Sequence, residues 1–114
     1  KNIIKDKKGG TITLRQQVLT GLPSKELRTI VDRGKKDIKQ GIVVAFSTFE
    51  GKVGVAVGVT NELTKKYDAV ELVKIASEIL GGKGGGGRKD FAQAGGSNKD
   101  KIEGAFQTLS KKIN

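Results

Sequence analysis

Residues 41–60, GIVVAFSTFEGKVGVAVGVT, carry the clearest hairpin signal in the chain. Ile42 through Phe46 form an unbroken apolar run, suited to a strand covered on both faces. Glu50-Gly51 supplies a turn. In the strand that follows, Val53, Val55, Val57 and Val59 share one face, while Gly54, Ala56 and Gly58 share the other. The small face invites a helix or a ligand to approach closely.

Toward the N-terminus, Ile12, Leu14, Gln16 and Val18 alternate and end at Gly21, Leu22 and Pro23, which predicts an edge strand over residues 11–20. Leu27, Ile30, Val31, Gly34 and Ile38 then lie on one stripe of a helix that starts through Pro23 and Ser24 and stops at Gly41. Toward the C-terminus, a second helix is predicted from Ala69 to Leu80. Asp68 caps it, with Glu71 three residues on as the reciprocal partner, and Gly81 closes it. A third helix starts at about Asn98 with Ser97 as cap and buries Ile102, Ala105, Phe106, Leu109 and Ile113. These elements predict a small α/β (α+β) fold, a mixed sheet of about four to five strands packed with three helices in two layers. Residues 11–114 form the domain, and residues 1–10 (KNIIKDKKGG), with Lys5, Lys7 and Lys8, read as a junction to a missing upstream segment.

Composition removes several classes of chemistry. The 114 residues include no His and no Cys, so the chain offers no imidazole or thiolate zinc ligand, no Ser/His or Cys/His nucleophile pair and no disulfide. No pair of carboxylates stands in a context that would drive their pKa values apart, so no acid/base site is read. No apolar run reaches membrane-spanning length, and the first ten residues lack the core of a signal peptide, so a cytoplasmic chain without membrane contact is expected. A chain that starts at Lys and holds no Met reads as a piece of something larger.

The formal net charge is +10, and it is unevenly spread. Residues 41–80 carry −1, whereas residues 1–10, 23–40 and 81–101 carry +3 each. A field of this sign favours a polyanion, with affinity that depends on salt; the bland alternative is a solubilising surface. Arg33, Lys35 and Lys36 read as the wet face of the first helix or as part of a phosphate track. Tyr67 reads as a half-buried packing residue.

Between the second and third helices lies GGKGGGGRKDFAQAGG, residues 81–96, with eight of the chain's 17 glycines. Ordering such a run is entropically costly, so it requires unusual backbone angles or very close approach of another molecule. Successive N–H groups without Cβ atoms can cradle a phosphate or ribose edge, and Lys83, Arg88 and Lys89 flank the run with positive charge. A flexible linker is the competing reading, but the specific, partly apolar DFAQAGG that follows lacks linker filler. A Walker loop is absent, because Gly84 follows Lys83 and Ser77 holds the earlier glycine position; a dinucleotide fingerprint fails because the run follows a helix. The candidate nucleic-acid-binding residues are Lys83, Gly84, Gly85, Gly86, Gly87, Arg88, Lys89, Asp90 and Gln93. Phe91 reads as a core anchor, since four Phe must serve the whole core.

With the hairpin, the helix ending at Gly81 and LRTIVDRGKKDIKQGIVVAF, this segment resembles the C-terminal domain of bacterial alanyl-tRNA synthetases over residues 11–114, a domain of the type that accompanies DHH phosphoesterases. Arg88-Lys89-Asp90 stands where that family often has Arg-Pro-Asp. The resemblance implies a noncatalytic module that docks on the outer corner of tRNA(Ala) and links aminoacylation with editing. It implies the aminoacylation and editing domains of one parent chain as partners, with weak self-association. It also implies ATP, Mg2+ and Zn2+ for the parent enzyme and no cofactor in this segment. Low aromatic content, 4%, favours recognition of shape and phosphate over stacking of many splayed bases. Two other readings are the nucleic-acid-binding half of a DHH-type phosphoesterase and a dimerisation module.

Overall fold

The computed structural model describes residues 2–5, 11–38, 40–82 and 85–113. Six strands form one mixed sheet: β1 (Asn2–Lys5), β2 (Thr11–Thr20), β3 (Gly41–Phe49), β4 (Lys52–Val59), β5 (Gly85–Gly87) and β6 (Phe91–Gly96), in the order β1-β2-β3-β4-β6-β5. Three helices pack on it, α1 (Leu27–Asp37), α2 (Ala69–Ile79) and α3 (Ile102–Ile113).

The central hairpin forms as its residues predict. Glu50 (φ 51°) and Gly51 (φ 78°) both take the left-handed conformation, the two-residue turn whose twist matches the flanking strands. β3 and β4 then pair antiparallel from Phe49↔Lys52 to Ile42↔Val59. β2 and β3 run parallel, and a parallel pair needs a crossover, which α1 supplies.

Alternation along β3 and β4 feeds two cores. Ile42, Val44, Phe46 and the four valines of β4 pack with Leu72, Val73 and Ala76 of α2 and Phe106 and Leu109 of α3. On the opposite face Val43, Ala45, Ala56 and Phe91 pack with Leu27, Val31 and Ile38. The helices therefore lie on both faces, giving three layers where two were expected. The physical reason is the apolar run 42–46, buried on both sides, which leaves neither face of the sheet free for water.

α1 reaches only to Asp37, short of the predicted stop at Gly41. Ile38 turns to extended backbone and remains in the core, while Gly41 already belongs to β3, its N–H donating to Thr60 Oγ1 at 3.1 Å. α2 follows prediction more closely. Asp68 accepts a hydrogen bond from the Val70 N–H at 2.9 Å; Glu71 makes no return bond among the described residues. Gly81 (φ 84°) closes the helix, with its N–H bonded to Glu78 O and that of Gly82 to Ser77 O, the paired closure that a left-handed residue permits. α3 is preceded by a short 3-10 turn, Lys99–Lys101, with Asn98 rather than Ser97 at the cap position; the Ser97 N–H instead joins Leu80 O at 2.9 Å.

Two short strands extend the sheet beyond the four to five expected. β1 pairs with residues Thr11 to Leu14, so β2 is an edge only beyond Leu14, and part of segment 1–10 belongs to the sheet. β5 consists of three glycines and borders β6.

Candidate nucleic-acid interface

β5 and β6 form a hairpin at the rim of the sheet, in the register Gly85↔Ala94, Gly86↔Gln93 and Gly87↔Ala92. Its turn is closed by reciprocal bonds between Arg88 and Phe91, N–H to O at 2.7 Å and 3.3 Å, which leaves Lys89 and Asp90 as the two loop residues. The loop is tied down at several points. Lys89 O accepts from the N–H of Ala69 at the start of α2, and Asp90 O accepts from the Val59 N–H and from Lys35 Nζ.

Asp90 organises this corner more than it offers an acceptor to a ligand. Its carboxylate lies 3.4 Å from Arg88 Nε and 3.9 Å from Lys35 Nζ, so it fastens the hairpin to α1 and restrains Arg88. Arg88 remains 69% exposed along its side chain, available to a phosphate, and Lys89 is exposed. Phe91 is buried in the α1-side core, as predicted, with the Arg28 guanidinium 5.0 Å from its ring centre. Lys35, read as part of the wet face of α1, is half-buried and spent on Asp90.

The glycines of β5 have distinct surroundings. A Cβ at Gly85 would collide with Gln93 O, and one at Gly87 (φ 150°) with Phe91 O, so both positions require a bare backbone. A Cβ at Gly86 would meet nothing within 4 Å among the described residues. The extended conformation corrects the expectation of a concave cradle: successive N–H groups of a strand point to opposite sides, so three glycines cannot aim consecutive amides into one cavity. What they present is an open strand edge, with unpaired main-chain groups along its outer side among the described residues. Gln93, half-buried, lies opposite Gly86 on the α1 side of the sheet. Gly85, Gly86, Gly87, Arg88, Lys89, Asp90 and Gln93 are thus gathered on one hairpin, while Lys83 and Gly84 lie outside the described residues.

The small face of β4 divides between a helix and a groove. At Gly58 a Cβ would strike Val31 Cγ1 and sit 2.7 Å from Lys35 Cδ, so α1 takes this end. Gly54, at the other end, lines a groove of about 350 Å³ together with Ser47, Phe49 and Gly95, and with Lys25 and Lys52 at its margin. Nothing in the sequence signals these residues as a site except the small face itself.

Among the described residues no three His, Cys, Asp or Glu side chains converge, and the chain has neither His nor Cys, so the residues present do not fit the zinc implied for a parent enzyme. No helix of the described residues is long and apolar enough to cross a membrane.

This architecture defines a mixed-sheet domain with a glycine hairpin at its rim and helices on both faces. The family described as the DHHA1 domain matches residues 12–114, and the chain belongs to it. It is 49% identical over 98 residues to the alanine–tRNA ligase of Hyphomonas neptunium, covering 86% of this chain and 11% of the ligase. It is 46% identical over 103 residues to that of Bradyrhizobium diazoefficiens, covering 90% and 12% respectively. The chain therefore spans about a tenth of these curated relatives. The crystal structure of the C-Ala domain from Aquifex aeolicus alanyl-tRNA synthetase superposes with a TM-score of 0.85 at 32% identity, covering 96% of this chain and 98% of that one.

Proposed function

We propose that this chain is a noncatalytic tRNA-binding module of a cytoplasmic alanine–tRNA ligase, docking on the outer corner of tRNA(Ala) through the β5–β6 hairpin. The observation that carries this reading is the likeness over nearly the whole chain to the C-Ala domain of an alanyl-tRNA synthetase. Ligase relatives at 43–49% identity favour it over the DHH-phosphoesterase alternative. The net charge of +10 and the exposed Arg88 and Lys89 beside an open glycine edge suit a ribose–phosphate contour.

In this mechanism the strand edge approaches the RNA backbone without side chains in between, and Arg88, restrained by Asp90, and Lys89 neutralise neighbouring phosphates. Lys83 belongs to the same proposed contact. Tethering the tRNA body raises the effective concentration of its acceptor end at separate aminoacylation and editing centres elsewhere in the parent chain. ATP, Mg2+ and Zn2+ would be held by those other domains.

Titrating labelled tRNA(Ala) at about 50 and 200 mM salt tests the reading, with an affinity loss of at least about tenfold expected between the two. Absent binding, or affinity indifferent to salt, would contradict it.

A further inference from the structure

We infer that the groove over Ser47, Gly54 and Gly95 holds one unstacked nucleobase of the bound RNA, an inference that rests on the tRNA-binding reading. Ser47 pairs with Gly54, and Gly54 with Gly95, so the three form a single rung across β3, β4 and β6. Two of the three carry no side chain, which leaves a flat main-chain floor of the kind a planar ring can lie on. Phe49, on the same face as Ser47 and 39% exposed, supplies an aromatic wall. The volume, about 350 Å³, falls in the range of small-ligand sites.

Ser47 is the observation that separates this groove from a mere gap between small residues. Its side chain lines the groove, the residue is 1% exposed, and its hydroxyl has no protein hydrogen-bond partner among the described residues. A hydroxyl can both donate and accept, so it matches the polar edge of any base, and burial without a partner is costly. Lys25 and Lys52 stand at the margin, exposed and without ion pairs among the described residues, and no carboxylate lines the groove. Among the described residues that charge pattern, two lysines and no carboxylate, disfavours a cationic ligand and suits a ring flanked by phosphates. The groove also continues the proposed interface, since Gly95 follows Gln93 by two positions on the same face of β6.

The test titrates the isotope-labelled 114-residue chain with each of the four nucleoside monophosphates and with ribose 5-phosphate, which carries the phosphate without a base. Saturable amide shifts at Ser47, Gly54 and Gly95 are expected with at least one monophosphate and not with ribose 5-phosphate. Gly95→Val fills the groove; among the described residues a Cβ there meets only Val53 O, at 3.5 Å, so the variant is expected to fold and to lose these shifts. Ser47→Ala, which removes a single oxygen, weakens the same response about 3- to 10-fold and carries the test if the valine variant does not fold. Equal shifts with ribose 5-phosphate identify an anion site and overturn the inference, as do absent shifts or an undiminished response in Ser47→Ala. A parallel tRNA titration separates the two claims. Monophosphate shifts without tRNA binding sink the proposed function alone, and tRNA binding without monophosphate shifts sinks the base pocket alone.

Discussion

Gly85 and Gly86 are neighbours in β5, yet alanine at each has opposite expected consequences. At Gly85 the new methyl would drive into Gln93 O of the paired strand, and the hairpin must shift to admit it. Overpacking of this kind costs about 1–3 kcal/mol. With a melting point moving by about 4 °C per kcal/mol at this size, Gly85→Ala should melt about 4–12 °C lower. At Gly86 nothing among the described residues lies within 4 Å of a Cβ, and the backbone is one that alanine adopts freely. Reduced freedom of the unfolded chain then makes Gly86→Ala neutral or more stable by about 0.4–1 kcal/mol. The Arg88–Phe91 pair makes Gly86↔Gln93 a hydrogen-bonded pair, so the outward main-chain groups belong to Gly85 and Gly87; a methyl at Gly86 stands between them, where the proposed interface requires a bare backbone. Losing one main-chain hydrogen bond to a charged phosphate costs about 1.5–3 kcal/mol, a fall in tRNA affinity of about 10- to 150-fold. Thermal melts followed by circular dichroism and anisotropy titrations with tRNA(Ala) measure the two effects separately. If Gly86→Ala binds tRNA as tightly as the parent while Gly85→Ala melts early, the glycines serve only the packing of the hairpin and the strand edge is not the RNA contact.

Further expectations concern charge and the corner that supports the hairpin. Lys83→Ala with Arg88→Ala should weaken tRNA binding and reduce the salt slope by about 0.7–0.9 for each phosphate no longer neutralised, without lowering the melting point, because Arg88 is largely exposed. An unchanged salt slope would move the RNA-binding surface elsewhere. Lys35→Met removes the bond to Asp90 O at 3.1 Å and the nearby carboxylate pairing, and a loss of about 1–2 kcal/mol in denaturant unfolding is expected. Gly58→Val forces a branched side chain against Val31 and Lys35 and should cost about 3 kcal/mol or more, a drop visible in the same unfolding curves. Sedimentation of the isolated chain should report a monomer or weak dimer; a tight dimer without RNA affinity would favour an assembly role instead.

Much of this fold is legible in the sequence because its signals are local. Glu50-Gly51 has turn chemistry, Asp68 and Gly81 bracket α2, and the alternation of Val53 to Val59 declares one buried face. The two-layer expectation gives too little weight to the apolar run 42–46, whose burial on both faces requires α1 opposite α2 and α3. β5 is invisible in the sequence for a physical reason: strand periodicity is carried by side chains, and Gly85 to Gly87 have none. The end of α1 is masked because Ile38 keeps the helical spacing of the buried stripe after the backbone has already become extended. Within the candidate site, the hairpin residues are adjacent in sequence and can be named from it. Lys35 is legible only as a helix face or phosphate track, not as Asp90's partner, and Ser47 gives no signal, since the first contact arises only when α1 meets Asp90 and the second placement only when β3, β4 and β6 align.

The most direct test of the central claim follows the amide resonances of the labelled chain as substoichiometric tRNA(Ala) is added. Gly85, Gly86, Gly87, Arg88 and Gln93 should shift or broaden first, with α3 unaffected. Early perturbation of α3 around Lys111 and Lys112, with the β5–β6 amides unmoved, would place the RNA on another surface and contradict the account.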